Sequence, residues 1–215
     1  MRLLTVFLLF STLTYAQSGP GNWFMYFGTN TINDTWSIHT EAQHRNYGLL
    51  PNELEQLLLR TGINYKVRDG LVVTGGYANI TNHVQNNDTI SPEVEGRIWQ
   101  QLIAINYFGK TKFEHRFRYE QRWIENDFKT RYRYRGMLFH PLNSERIKAG
   151  TLYLGIYNEL FLQPSGTTTT FDRNRFYTGL GYKYAPNIQF QLGYLLQTVG
   201  DNTGQYLQFG LIFDT

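Results

Sequence analysis

Between Thr111 and Pro141 charged and aromatic side chains alternate with a period of two. One parity of the first half reads Lys112, Glu114, Arg116, Arg118, Glu120, Arg122, and the other reads Phe113, His115, Phe117, Tyr119, Gln121, Trp123. After a short link the alternation resumes, with Phe128, Thr130, Tyr132 and Tyr134 opposing Lys129, Arg131, Arg133 and Arg135. Successive side chains of a strand point to opposite faces, so this period predicts a β-hairpin and fits no helix. One face is almost wholly ionised and the other almost wholly aromatic. That suits a sheet with water on one side and hydrocarbon on the other.

The same alternation recurs elsewhere. Leu57, Leu59, Ile63, Tyr65 and Val67 oppose Gln56, Arg60, Asn64 and Lys66, and Ile188, Phe190, Leu192, Tyr194 and Leu196 oppose Gln189, Gln191 and Gln197. Eleven segments carry a strand pattern: 22–29, 35–47, 55–67, 71–83, 95–108, 111–124, 127–142, 151–162, 171–184, 187–198 and 204–213. At roughly 9–15 residues most exceed the usual globular strand and approach bilayer-spanning length. Arg68-Asp69-Gly70, Gly109-Lys110 and Ala185-Pro186 predict tight turns, assigned to the periplasm. The polar stretches 48–54, 84–94, 163–170 and 199–203 predict longer exterior loops, the asymmetry of bacterial outer-membrane barrels. The links 125–127 and 143–150 fit that asymmetry badly. Single-chain bacterial barrels have even strand numbers, so the expectation is ten or twelve strands, twelve favoured.

The first 16 residues change the picture next. Met1-Arg2, an apolar run from Leu3 to Phe10, and Thr14-Tyr15-Ala16 have the layout of a secretory signal peptide cleaved after Ala16, leaving a barrel domain over 17–215. The apolar run is too short to span a bilayer. The chain has no cysteine, so disulfides and thiolate metal sites are excluded. Its 20 Lys+Arg and 17 Asp+Glu give +3, or +2 without Arg2, too balanced to argue for nucleic acid as a partner. The 16 Tyr, 15 Phe and 4 Trp are many for so polar a chain, as expected when every second residue meets lipid. The fold class is therefore all-β, a single antiparallel transmembrane barrel with a polar, charged interior. Trp23, Trp36, Trp99, Trp123, Tyr107 and Tyr184 are the expected interface girdles. The rival is a secreted soluble ligand-binding barrel with the faces reversed. Ten to twelve strands would then enclose an apolar cavity too large for side chains to close.

An ordered set of segments carries a resemblance: Trp23-Phe24-Met25-Tyr26-Phe27-Gly28, Gln43-His44-Arg45-Asn46-Tyr47, Glu55-Gln56-Leu57-Leu58-Leu59-Arg60, Arg97-Ile98-Trp99-Gln100-Gln101-Leu102, Glu114 to Arg122, and Tyr157-Asn158-Glu159. Together they resemble a Bacteroidota outer-membrane barrel family known only as a domain of unknown function. The resemblance covers essentially the whole chain after the leader. It implies a barrel in the outer membrane and no activity, substrate or catalytic residue.

The strongest constellation is the inward charge ladder of Lys112, Glu114, Arg116, Arg118, Glu120 and Arg122 with Lys129, Arg131, Arg133 and Arg135. Adjacent strands would interleave these as cross-strand pairs. Glu41, Glu55, Arg60, Glu159, Asp172, Arg173 and Arg175 are candidate partners from other strands. Such a wall either lines a narrow, anion-leaning, porin-like pore or plugs the lumen; around 16 strands are usual for an aqueous channel, which favours the plug. Ser37 and His39 share a face, as a lipid hydrolase on a barrel strand would need, but polar strands produce such pairs by chance. Residues 39, 44, 83, 115 and 140 are histidines without ligand spacing, so neither metal nor cofactor is expected. Gly75, Gly76, Gly179 and Gly181 read as positions that admit bulky neighbours or let the sheet bend. The reading is a non-enzymatic envelope barrel, an accessory subunit or narrow pore. Its expected partners are outer-membrane lipid and another outer-membrane or periplasmic protein.

Overall fold

The computed structural model describes residues 19–51, 53–86, 89–165 and 167–215. The expected leader lies outside the described residues. Eleven strands among them form one closed barrel: β1 (Gly21–Thr31), β2 (Trp36–Asn46), β3 (Leu54–Arg68), β4 (Leu71–Asn86), β5 (Thr89–Phe108), β6 (Thr111–Ile124), β7 (Asp127–Pro141), β8 (Thr151–Ser165), β9 (Thr168–Ala185), β10 (Ile188–Val199) and β11 (Asn202–Asp214).

The count is eleven, neither ten nor twelve, because segment 22–29 is a full strand and no further one exists among the described residues. Nor is the sheet wholly antiparallel. With strands running alternately up and down, an odd number leaves the first and last pointing the same way. β1 and β11 therefore close the ring as a parallel pair, from Gly21↔Tyr206 to Thr29↔Asp214. Parallel ladders are slightly weaker per residue, and rings clamp this seam on both faces. Phe24 stacks on Phe209 at 5.2 Å outside, and Trp23 lies 4.8 Å from Tyr206 inside.

The connections also differ from the expected asymmetry. The ladder runs on through most of 84–94 and 163–170, to Asn86↔Thr89 and Ser165↔Thr168, so these are protruding hairpins rather than loops. Tight turns occur at both ends of the barrel. Gly70 and Gly109 adopt the left-handed φ that such turns need, and Glu125 does so with φ 51° in the short link between β6 and β7. The long link 142–150 belongs to the opposite end from 47–53 and is tied down by its own residues. Asn143 Nδ2 donates to the Gly150 carbonyl at 3.0 Å, and Arg146 Nη1 donates to the Gly109 carbonyl at 2.8 Å.

Register decides which face each side chain takes. Phe117 and Tyr132 are outward and about half exposed (51% and 50%), while Arg118, Glu120, Arg131 and Arg133 are buried inside. Trp36, Trp123 and Tyr184 also lie on the outer face and are exposed. The other three expected girdle residues do not. Trp23 (2% exposed) pairs in register with Arg45, and Trp99 (0%) with Glu120, so both share the parity of ionised neighbours and point into the lumen. Tyr107 pairs with Lys112 and lines the cavity at the end covered by 142–150, with the Arg146 guanidinium 4.5 Å from its ring. Position along a strand suggested a girdle; parity overrules it.

Glycines make room for these interior rings. A Cβ on Gly62 or Gly76 would run into Trp99, and one on Gly179 or Gly193 into Tyr177. Gly181 faces the Tyr153 ring in the same way. Gly75 points to open space on the other face.

Candidate functional site

The inward faces of β3, β5, β6 and β7 converge on Glu120, which is fully buried. Arg131 Nη2 and Arg133 Nη1 each donate to its carboxylate at 2.7 Å. Arg97, Arg118 and Arg60 stand 3.4, 3.8 and 3.9 Å away. A carboxylate taken out of water needs such donors, because an unpaired buried charge is very costly.

Further carboxylates extend the network. Glu159 accepts from Arg116 at 2.6 Å and from Arg133 Nη2 at 2.8 Å. Glu41 accepts from Arg60 at 2.9 Å, and Glu114 from Arg135 at 2.6 Å with Lys112 at 3.4 Å. Asp172 accepts from Arg131 at 3.2 Å and from Arg173 Nε at 3.0 Å. Glu95 binds Arg122 Nε and Arg97 Nη2, both at 2.6 Å. Lys129 stands apart near the barrel end, where it meets Asp127 at 3.4 Å and is partly exposed.

Rings support the guanidinium groups. Arg118 and Arg60 lie over Trp99 at 4.9 and 5.3 Å, and Arg133 over the buried Phe161 at 4.4 Å. Such cation–ring contacts contribute more when desolvated, up to about 2 kcal/mol. Glu95, Arg97, Arg45, Phe161 and the inward role of the tryptophans were missed from the sequence. Their signal was present: Glu95, Arg97, Trp99 and Gln101 share one parity, opposite the exposed Ile98.

Arg175 is buried, and its Nε donates to Gln197 at 2.8 Å instead of to a carboxylate. Arg45 is likewise buried and bonded to the Gln43 amide oxygen, with its guanidinium 4.0 Å from the Trp23 ring centroid. One cavity of about 1190 Å³ runs past the network, lined by Trp23 and Glu55 towards one end and by Tyr107 and Ile147 towards the other.

Ser37 and His39 both face this cavity but do not form a nucleophile–base pair. Ser37 Oγ accepts from Asn64 at 3.0 Å, and His39 Nε2 meets Glu41 at 3.2 Å. Glu41 is itself held by Arg60. His115 lies outside, with its Nδ1 2.8 Å from the Tyr134 hydroxyl. Among the described residues no three His, Cys, Asp or Glu side chains are grouped to hold a metal ion.

The fold and its interior define a class: an eleven-stranded closed β-barrel whose lumen is crossed by an arginine–carboxylate network. The chain belongs to the family described as protein of unknown function (DUF2490), matched over residues 20–208. It is also 30% identical over 152 residues to an uncharacterized protein of Methylorubrum extorquens, a match covering 68% of this chain and 65% of that relative. No solved structure matches.

Proposed function

We propose that the protein is an exported, non-enzymatic β-barrel of the bacterial outer membrane, acting as a structural or accessory subunit of the envelope. The observation that carries this is the division of the wall. Leu59, Ile63, Phe117, Tyr132, Leu180 and Leu192 are exposed around the outside, while the ionised side chains point inward. Monomeric soluble proteins rarely expose so much contiguous apolar surface, and a closed barrel leaves no unpaired edge to hydrocarbon. Outer-membrane lipid is the first partner of that surface, and another outer-membrane or periplasmic protein would dock beside it. Glu120, ringed by five arginines, and Glu159, held by two, support a plug over a wide channel.

A narrow, anion-leaning pore is the second reading. It is favoured by the cavity that continues past the network and by arginines such as Arg175 that bond to amides. Carbonate-washed outer membranes should retain the protein; recovery in the soluble fraction would overturn the placement. Purified barrel added to a planar bilayer should insert without steady conductance. An anion-selective current would replace the plug with the pore.

A further inference from the structure

Near the mouth at the 47–53 end, the alternation of β3 breaks. Arg45 pairs with Gln56 but the next residue, Asn46, pairs with Leu54, so Glu55 is the extra residue of a β-bulge. Bulges re-aim side chains. Strict alternation would put Glu55 on the outer face with Leu57; instead it lines the lumen. There its Oε2 is buried and accepts no hydrogen bond. The Trp23 indole N–H, also buried, faces this carboxylate without reaching hydrogen-bond geometry.

Two guanidinium groups complete the surroundings. Arg45 and Arg175 are each more than nine-tenths buried, and both lie over Trp23, at 4.0 and 4.9 Å from its ring centroid. Neither has a carboxylate within salt-bridge distance among the described residues, since their hydrogen bonds go to Gln43 and Gln197. Every other buried lumenal arginine meets at least one carboxylate within 4.0 Å. This corner therefore holds two guanidinium groups with no carboxylate in salt-bridge range beside a carboxylate oxygen that completes no hydrogen bond.

We infer that it is a binding site for hydrogen phosphate, clamped between Arg45 and Arg175 and read by Glu55. Guanidinium forks match phosphate oxygens bidentately. Near neutral pH inorganic phosphate still carries a proton, so one P–OH donates to Glu55 Oε2 while the other oxygens accept from the arginines. Sulfate has the same shape but no proton, and its oxygen would be set against the carboxylate. The bulge thus makes the site select for a protonated oxyanion. The inference concerns the lumen alone and stands apart from membrane placement and conduction.

Calorimetric titration of the purified full barrel in detergent, at constant ionic strength, tests it with inorganic phosphate and sulfate. Phosphate should bind at least about tenfold tighter than sulfate, the scale of one buried charge-assisted hydrogen bond. Arg175→Gln should weaken phosphate by a similar factor. Glu55→Gln, which keeps size and shape, should let sulfate approach the affinity of phosphate. Absence of phosphate binding to the parent chain, equal affinity for both anions, or a Glu55→Gln protein that still rejects sulfate would each overturn the assignment.

Discussion

Glu120→Gln tests whether the lumen is held by charge or by water. The substitution keeps the side chain's size and removes one negative charge from the centre of five arginines. Four of them retain a second carboxylate: Glu41 for Arg60, Glu95 for Arg97, Asp172 for Arg131 and Glu159 for Arg133. Arg118 retains only the Gln101 amide oxygen, at 3.0 Å from Nε. Removing one partner of a buried ion pair costs about 3–5 kcal/mol, and here most of that cost falls on Arg118. Adding Arg118→Met to Glu120→Gln should therefore recover at least about 1 kcal/mol, within the coupling range of contacting residues. Urea titration in detergent, followed by tryptophan fluorescence, measures both, since Trp99 lies beneath Arg118 and Arg60. A Glu120→Gln barrel within about 0.5 kcal/mol of the parent would refute the reasoning, because solvated surface substitutions fall in that range. So would a double variant no more stable than the single one.

Three further outcomes follow from the same geometry. Trp23→Ala should cost about 3–5 kcal/mol, the cost of emptying a buried ring site, whereas Trp36→Ala on the outer face should cost far less; equal losses in urea titration would contradict the parity assignment. Leu192→Arg sits mid-strand on the outer wall and should cost about 2–4 kcal/mol in phospholipid vesicles, and unchanged stability there would count against lipid contact. Gly181→Ala drives a Cβ into the Tyr153 ring and should cost about 1–3 kcal/mol by overpacking, with Tyr153→Leu in the same chain restoring part of it; if Gly181→Ala alone unfolds at the parent's urea concentration, the ring does not occupy that niche.

How much of this was legible in the sequence depended on whether the determinant was local. The β6–β7 ladder was, because side-chain parity is a property of one strand and Arg116↔Arg135 to Glu120↔Arg131 follow once the hairpin forms. The partners Glu95 and Arg97 were equally local, and the exposed Ile98 between them marked the parity. Trp23 and Trp99 were misplaced because closeness to a strand end was weighed above parity. Register with Arg45 and Glu120 shows which consideration is the stronger. The hairpins within 84–94 and 163–170 read as loops for another reason: both segments are rich in Asn, Gln, Asp, Ser and Thr, so their composition resembles that of a loop.

Glu55 and Arg175 were expected to face the lumen, but the strand number and the grouping of those two with Arg45 were not legible, and for a common physical reason. Both are set by how distant strands meet. Whether the ring closes at ten, eleven or twelve depends on the β1–β11 seam between residues 21–29 and 206–214, and nothing within either segment announces a parallel partner. Glu55 lies on the wrong parity for the lumen until the β2–β3 register slips by one residue, and Arg175 reaches the same corner only because closure brings β9 round to Trp23 on β1. A period-two pattern thus reports which residues a strand would bury, while register shifts and closure determine which of them meet. The least compensated charges of the lumen gather where both act together.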